Sequence, residues 1–345
     1  MDSTPAHEAA PGASSSATAA AEDLAGGVAA MTLDERFALL RGIGEECIQE
    51  DELRRLLENK PVPICYDGFE PSGRMHIAQG IVKTINVNKM VRAGCKVKIW
   101  IADWFAQLNN KMGGDLKKIQ TVGRYMIEIW KAAGMNLDGV EFLWSSEEIN
   151  RRAHEYWPIV MDIARKNNVK RIMRCCQIMG RSDQDDLTAA QIFYPCMQCA
   201  DIFFLKANML PGFKEGQEKM SKSDPSSAIF MEDDEAQVNV KIKQAFCPPK
   251  IVEGNPCLEY IKYIVFPWFG RTFTSMDELI SDYETGALHP ADVKPALAKA
   301  INEILQPVRD HFNNNNEAKV LLNTVKVHCL KRIHMLDISS RLLSA

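Results

Sequence analysis

The chain has 345 residues, 46% hydrophobic and 25% charged, with a formal net charge of -4. Those proportions allow a sizeable core and exclude whole-chain disorder, and the length exceeds the roughly 100 to 200 residues of a single domain. The mild negative charge argues against a protein that coats nucleic acid without specificity, though it leaves room for a local basic stripe. Ten cysteines scattered through apolar segments, as Cys65, Cys95 and Cys247 are, with no signal peptide ahead of them, read as reduced thiols of a cytoplasmic protein. No window reaches the roughly 18 uninterrupted apolar residues of a membrane span. Residues 1–31 are rich in Ala, Ser and Gly, without a Lys or Arg before Arg36, and read as a disordered tail.

Order is expected from Thr32, where Thr32 and Glu35 form a capping box ahead of Phe37, Leu39 and Leu40, followed by a second helical stretch over 51–57. Short apolar strands then alternate with longer helical patterns: strands over 62–65, 97–102 and 140–143, and helices over 76–93 and 115–133 closed by Gly94 and Gly134. Strand, helix and strand at this spacing imply parallel βαβ units in an α/β, Rossmann-like catalytic domain over 32–228. From 148 to about 200 the pattern is helical, and after a Pro/Gly/Ser-rich stretch it is helical again over 235–246, 257–266, 293–312 and 317–333. A boundary near residue 228 separates a second, all-α domain over 229–345.

Two segments carry chemistry. The first strand leads into Tyr66-Asp67-Gly68-Phe69-Glu70-Pro71-Ser72-Gly73-Arg74-Met75-His76-Ile77-Ala78-Gln79. Glycines, a proline and a serine between strand and helix let backbone amides approach a ligand, and the helix N-terminus adds a dipole suited to phosphate. Gly68 and Gly73 have the spacing of a Walker loop, but Arg74 and Met75 stand where its Lys and metal-holding hydroxyl must be, so that reading fails. The plainer reading is a glycine-rich turn with His76 a satisfied surface histidine. The second segment, Gly216-Gln217-Glu218-Lys219-Met220-Ser221-Lys222-Ser223, offers two lysines in a polar loop that can reach a polyphosphate. Its plainer reading is a solvated connection.

Together, His76-Ile77 at a helix start and Lys219-Met220-Ser221-Lys222-Ser223 far downstream resemble the paired signatures of class I aminoacyl-tRNA synthetases. Tyr66 with the following Gly-Phe-Glu-Pro-Ser-Gly, the run Tyr194-Pro195-Cys196-Met197-Gln198-Cys199-Ala200-Asp201, Ile101-Ala102-Asp103 and Leu288-His289-Pro290-Ala291-Asp292 look like the tyrosine-tRNA ligase family of the eukaryotic and archaeal type. The likeness runs from about residue 35 to 330. It implies tyrosine attachment to tRNA(Tyr) through tyrosyl-adenylate, with ATP and Mg²⁺, in a homodimer built through an inserted helical region over 145–205. Under it Tyr66 and Asp201 hold the substrate phenol and Tyr194 and Gln198 its amino group. Gly68, Gly73, His76, Gln79, Lys219, Ser221 and Lys222 take the nucleotide, with His76, Lys219 and Lys222 as charge-stabilising donors. Independently of the family, Tyr194, Gln198 and Asp201 fall at spacings of four and three, on one helix face. A pocket that hydrogen-bonds a phenol rejects phenylalanine by about 10⁵-fold in tyrosyl enzymes, a value that belongs to that class and is not obtained from this chain.

His289 and Asp292 resemble the family's anticodon-reading corner, where a carboxylate pairs with a splayed guanine and an imidazole stacks. The plainer reading makes His289-Pro290 a helix start that Asp292 helps polarise. Cys196-x-x-Cys199 could be half a zinc site, but it has no second Cys/His pair at ligand spacing. The chain also departs from the family. Beyond Ala207 it passes directly to the lysine loop, where the family carries a strand, a helix and a strand of about 30 residues with a Gly-x-Asp-Gln-Arg run; the junction over 269–274 is short as well. A sheet without that unit is expected to expose an edge. The alternatives are a tryptophan-tRNA ligase, or a shortened, catalytically impaired form that binds tRNA or regulates a complete subunit.

Overall fold

The computed structural model describes residues 31–44, 47, 49–178, 186–206, 228–270 and 273–343. The expectation of a disordered tail and the whole lysine loop fall outside them. Two helices open the chain, α1 (Leu33–Arg41) and α2 (Glu50–Asn59). The first starts on the expected box: Glu35 N–H donates to Thr32 Oγ1 at 3.2 Å and Thr32 N–H to Glu35 Oε2 at 2.8 Å.

Three parallel strands follow, β1 (Ile64–Phe69), β2 (Lys96–Ile101) and β3 (Val140–Trp144), adjacent in that order. Parallel neighbours need long crossovers. These are supplied by α3 (Lys83–Arg92), then α4 (Asp103–Leu108) and α5 (Leu116–Ala132). The first strand lies later in the chain than its apolar run predicts. Pro61 and Pro63 have no N–H to give, so the ladder opens with Lys96 N–H donating to Pro63 O. It then continues through polar Tyr66 and Asp67 to Phe69, opposite Ile101, because β2 is there to pair with it. The helix expected from His76 also starts late. His76 forms an antiparallel bridge with Phe230, and the first turn, Ala78–Val82, is a wide π segment before α3 begins.

Strand β2 turns Val97, Ile99 and Ile101 to one fully buried apolar face and Lys96, Lys98 and Trp100 to the other, where Trp100 is buried. Val97 and Ile99 enter one core with α3, α5 and the C-terminal helices. Trp100 enters another with Phe105, Tyr156, Tyr194 and Phe204. The C-terminal ends of β2 and β3 are tied by buried Asp103, which accepts from Ser145 Oγ at 2.7 Å, Ser146 Oγ at 2.6 Å and Gln120 Nε2 at 3.0 Å. Helix α5 meets the sheet at Gly123, where an added Cβ would stand 2.6 Å from Trp144 Cη2 and 3.2 Å from Ile101 Cγ2. Gly123→Ala is therefore expected to lower stability by about 1–3 kcal/mol through overpacking, read as a lower midpoint in urea with an unchanged slope.

After β3 come α6 (Ser145–Arg151), α7 (Ala153–Lys166), α8 (Val169–Ile178) and α9 (Ala189–Phe204). Pro195 inside α9 has no N–H for Gln191 O, and that carbonyl accepts the Cys176 thiol of α8 at 3.6 Å instead. At the other end Lys98 Nζ donates to Leu205 O at 2.9 Å, a cation on the negative end of the helix. Beyond residue 228 the described chain is helical: α10 (Glu235–Gln244), α11 (Pro256–Tyr260, extended by a π segment Ile261–Val265), α12 (Phe273–Thr285), α13 (Pro290–Asn314) and α14 (Asn316–Leu343). Leu258, Ile304, Phe312 and Val325 join the same core as Val97 and Ile99, so the helical part is packed onto the sheet. Among the described residues no helix is long and apolar enough to cross a membrane.

Candidate active site

Strand β1 and the residue after it, with helices α7 and α9, bring five phenolic or acidic side chains together: Tyr66, Glu70, Tyr156, Tyr194 and Asp201. Asp201 is 1% exposed and accepts a hydrogen bond from Tyr156 Oη at 3.0 Å. Burial drives its proton affinity well above that of an ordinary carboxyl, against the opposing pull of the Tyr156 hydroxyl and the nearby Trp100 N–H. Tyr66 is raised by burial and then by Asp201 and Asp67. Its hydroxyl folds over Gly68, at 2.6 Å from where a Cβ on that residue would stand. Gly68 thus lies within β1, opposite Trp100, and its bare backbone makes room for the phenol. Tyr194 Oη donates to Glu70 Oε1 at 2.7 Å, and Asn109 Nδ2 donates to the same oxygen at 2.6 Å. Phe105 packs edge-on against the Tyr194 ring at 5.1 Å. Gln198, one turn from Tyr194, is exposed.

Tyr156, Glu70 and Trp100 belong to this cluster and are absent from the sequence-derived set. Glu70 stands inside the glycine-rich run, where an acid between two small turns is a visible signal. Tyr156 lies in a helical stretch that offers no such signal, since only packing of α7 on α9 brings it to Asp201.

The turn from Glu70 to Ile77 is the second half of the site. Gly73 has φ of +128°, a conformation that only glycine adopts without strain, and it packs against Cys329 of α14, whose Sγ is 3.8 Å from the Cβ position. His76 Nδ1 accepts the Gln79 N–H at 3.3 Å, which places the proton of the neutral ring on Nε2, the form able to donate to a phosphate oxygen. The Gln79 side-chain Oε1 is enclosed without a hydrogen-bond partner.

Residues just past the lysine loop are clamped to this turn. Ile77 N–H donates to Ile229 O at 2.8 Å and Met231 N–H to Met75 O at 2.9 Å. Arg74 pairs with Glu232 and with Asp233 Oδ1 at 3.1 Å. Tyr125 Oη donates to Glu232 at 2.7 Å, and Lys241 Nζ donates to Asp233 at 2.6 Å. Glu232 and Asp233 side chains are 2% and 1% exposed. Arg309 of α13 donates to Asp233 O at 2.8 Å, so the clamp reaches the C-terminal helices.

Lys219, Ser221 and Lys222 lie outside the described residues. His289 and Asp292 are both exposed at the start of α13, where His289 Nδ1 accepts the Ala291 N–H at 3.2 Å as a helix cap. Burial raises the Cys196 thiol pKa, with Cys199, Cys175 and Cys176 adding to it. Even so, among the described residues no three His, Cys, Asp or Glu side chains are placed to share a metal ion.

The family described as class I tRNA synthetases (W and Y) matches residues 58–214 and 209–306, two pieces that meet where the sequence departs from its relatives. The chain is similar to the cytoplasmic tyrosine-tRNA ligase 1 of Arabidopsis thaliana, with 60% identity, covering 87% of this chain and 90% of that protein. That alignment runs over 347 positions, more than the whole chain holds, so it carries gaps on this side. With tyrosine-tRNA ligase 2 of the same plant the identity is 57%, over 91% of this chain and 48% of the longer relative. Among solved structures, tyrosyl-tRNA synthetase of Leishmania major in complex with tyrosinol superposes with a TM-score of 0.80 at 46% identity, covering 86% of this chain and 61% of that one. The Pyrococcus horikoshii enzyme complexed with L-tyrosine gives 0.75 at 29% identity, covering 85% and 100%.

Proposed function

The chain belongs to the class I tRNA synthetases of the tryptophan and tyrosine type, and from that premise we propose that it attaches L-tyrosine to tRNA(Tyr) through tyrosyl-adenylate in the cytoplasm. The observation that carries the choice of tyrosine is buried Asp201 facing Tyr66 and Tyr156 at the closed end of the pocket. A phenol can give its proton to Asp201 and accept from the Tyr66 hydroxyl at one oxygen. An indole has only an N–H to give. Tyr194, with Glu70 behind it, and Gln198 take the substrate amino group.

One carboxylate oxygen of tyrosine attacks the α-phosphorus of ATP, the bond to the bridging oxygen breaks, and pyrophosphate leaves with its electron pair. No proton needs to move in that step, so the protein acts by placement and by donors aimed at the developing charge. His76 Nε2–H and the backbone of Gly73 serve the phosphates from the turn; Lys219, Ser221 and Lys222 serve them from the loop. A Mg²⁺ would add charge compensation on the triphosphate, held through phosphate oxygens and water. A hydroxyl of the terminal ribose of tRNA then displaces AMP from the adenylate. His289 and Asp292, exposed on α13, read the anticodon.

The deciding experiment is tyrosine-dependent exchange of pyrophosphate into ATP by the purified chain. Exchange with tyrosine and none with tryptophan is expected; exchange driven by tryptophan, or by neither, refutes the reading.

A homodimer is built on the helices between 145 and 205. Met161 and Val169 are each 66% exposed and Phe203 is 63% exposed, apolar surface suited to burial against a second copy. Phe203→Glu is expected to shift the sedimenting species from dimer to monomer at micromolar concentration, with no change in far-UV circular dichroism.

A further inference from the structure

We propose that the Trp100 indole N–H is a specificity-determining group of the tyrosine pocket, donating a hydrogen bond to the phenolic oxygen of the bound substrate. The proposal rests on the tyrosine reading above. Trp100 occupies the middle of β2 with no exposed surface, yet its Nε1 has no hydrogen-bond partner. A buried indole usually finds one, and an enclosed donor left bare is costly. Phenylalanine would supply an aromatic ring at that position without an N–H to satisfy.

The surroundings say what the donor is for. Trp100 is the register partner of Gly68, about 4.8 Å away across the sheet, and the Tyr66 hydroxyl lies over Gly68. On its other side Trp100 meets the Phe204 ring at 6.2 Å. Phe204 packs edge-on against Tyr156 at 5.1 Å, and the Tyr156 hydroxyl bonds Asp201. The indole therefore sits between the two groups that hold the phenol. Its N–H is directed at Asp201 and lowers that group's proton affinity as a hydrogen-bond donor does, at a geometry that falls short of a closed bond. A phenolic oxygen has one proton to give and two lone pairs to fill. The Asp201 carboxyl accepts the hydrogen bond from the phenolic O–H, and the Tyr66 O–H and Trp100 N–H fill the lone pairs. Phenylalanine in the same place leaves the Tyr66 O–H and Trp100 N–H without an acceptor on the ligand and Asp201 with Tyr156 alone, so Trp100 adds to its rejection.

The test is calorimetric titration of tyrosine and of phenylalanine onto the full chain and onto Trp100→Phe, which keeps an aromatic ring and deletes the N–H. The ratio of the phenylalanine Kd to the tyrosine Kd is expected to fall by at least about 10-fold, mostly through weaker tyrosine binding, with the far-UV circular dichroism unchanged. An unchanged ratio, or equal loss for both ligands, overturns the proposal and leaves Trp100 as filler. Should the Phe form not fold, Trp100→Leu is titrated in its place. On the unaltered chain, one of the six indole N–H proton resonances is expected to move downfield with tyrosine and not with phenylalanine; no such movement overturns the proposal. If the unaltered chain binds no tyrosine at all, the functional reading falls and this one with it, whereas tyrosine binding with an unchanged ratio sinks this one alone.

Discussion

Asp201→Asn is expected to weaken tyrosine binding by about 100-fold or more, the effect of spoiling a buried hydrogen-bonding group at about 3 kcal/mol, while leaving the folded chain at least as stable near neutral pH. The first half follows from the burial of Asp201, which is 1% exposed. The second follows from linkage. Burial raises the Asp201 pKa above the value of about 4 that it has when unfolded. Between those two values the folded chain holds a proton that the unfolded chain releases, so stability present below about pH 4 is lost as pH rises toward the folded pKa. An amide suffers no such loss. The melting temperature of the Asn form relative to the parent should therefore climb from pH 5 to pH 8. A difference that stays flat across that range would mean that Asp201 is ionised in the folded chain and reached by water. Tyrosine affinity within a few-fold of the parent would place the phenol elsewhere.

Arg74→Met is the change expected to cost most in stability. It strips the guanidinium from Glu232 and Asp233, two nearly enclosed carboxylates, and removing one partner of a buried charge cluster typically costs about 3–5 kcal/mol. Lys241 and Tyr125 remain on the acids, so the lower end of that range is expected. Because Arg74 also ties the strap over 229–232 to the turn holding Gly73 and His76, ATP affinity should fall with the stability and tyrosine affinity should not. Arg74→Lys keeps the charge and loses the fork that spans both acids, and should recover part of the stability. Denaturant midpoints and separate titrations of ATP and tyrosine check this. A loss of both affinities to the same degree would show that the clamp merely holds the fold together.

The paired segments that suggest a nucleotide site differ in how readable they are. The turn over 70–77 is legible because glycine, proline and histidine between an apolar strand and a helix serve a backbone purpose that few other arrangements need. Its grip on residues 229–231 is not legible, since a two-residue bridge between segments some 150 positions apart leaves no periodicity. The strand boundary at Phe69 was missed for a related reason. Asp67 and Gly68 have poor strand propensity, and they are extended because β2 supplies partners for their backbone groups.

What the chain alone determines is local and compositional: the capped helix at Thr32, the three-strand parallel alternation, the helical second half, and the spacing that puts Tyr194, Gln198 and Asp201 on one face. These follow from nearest-neighbour chemistry, in which side-chain period and capping groups act over a turn or two of chain. The tertiary structure alone decided that Asp201 is buried, that Tyr156 and Glu70 join Asp201 and Tyr194 in one cluster, that the Trp100 N–H is enclosed, and that α13 and α14 pack back onto the sheet. Burial and proton affinity depend on what arrives from distant parts of the chain, and no window of sequence contains both sides of such a contact.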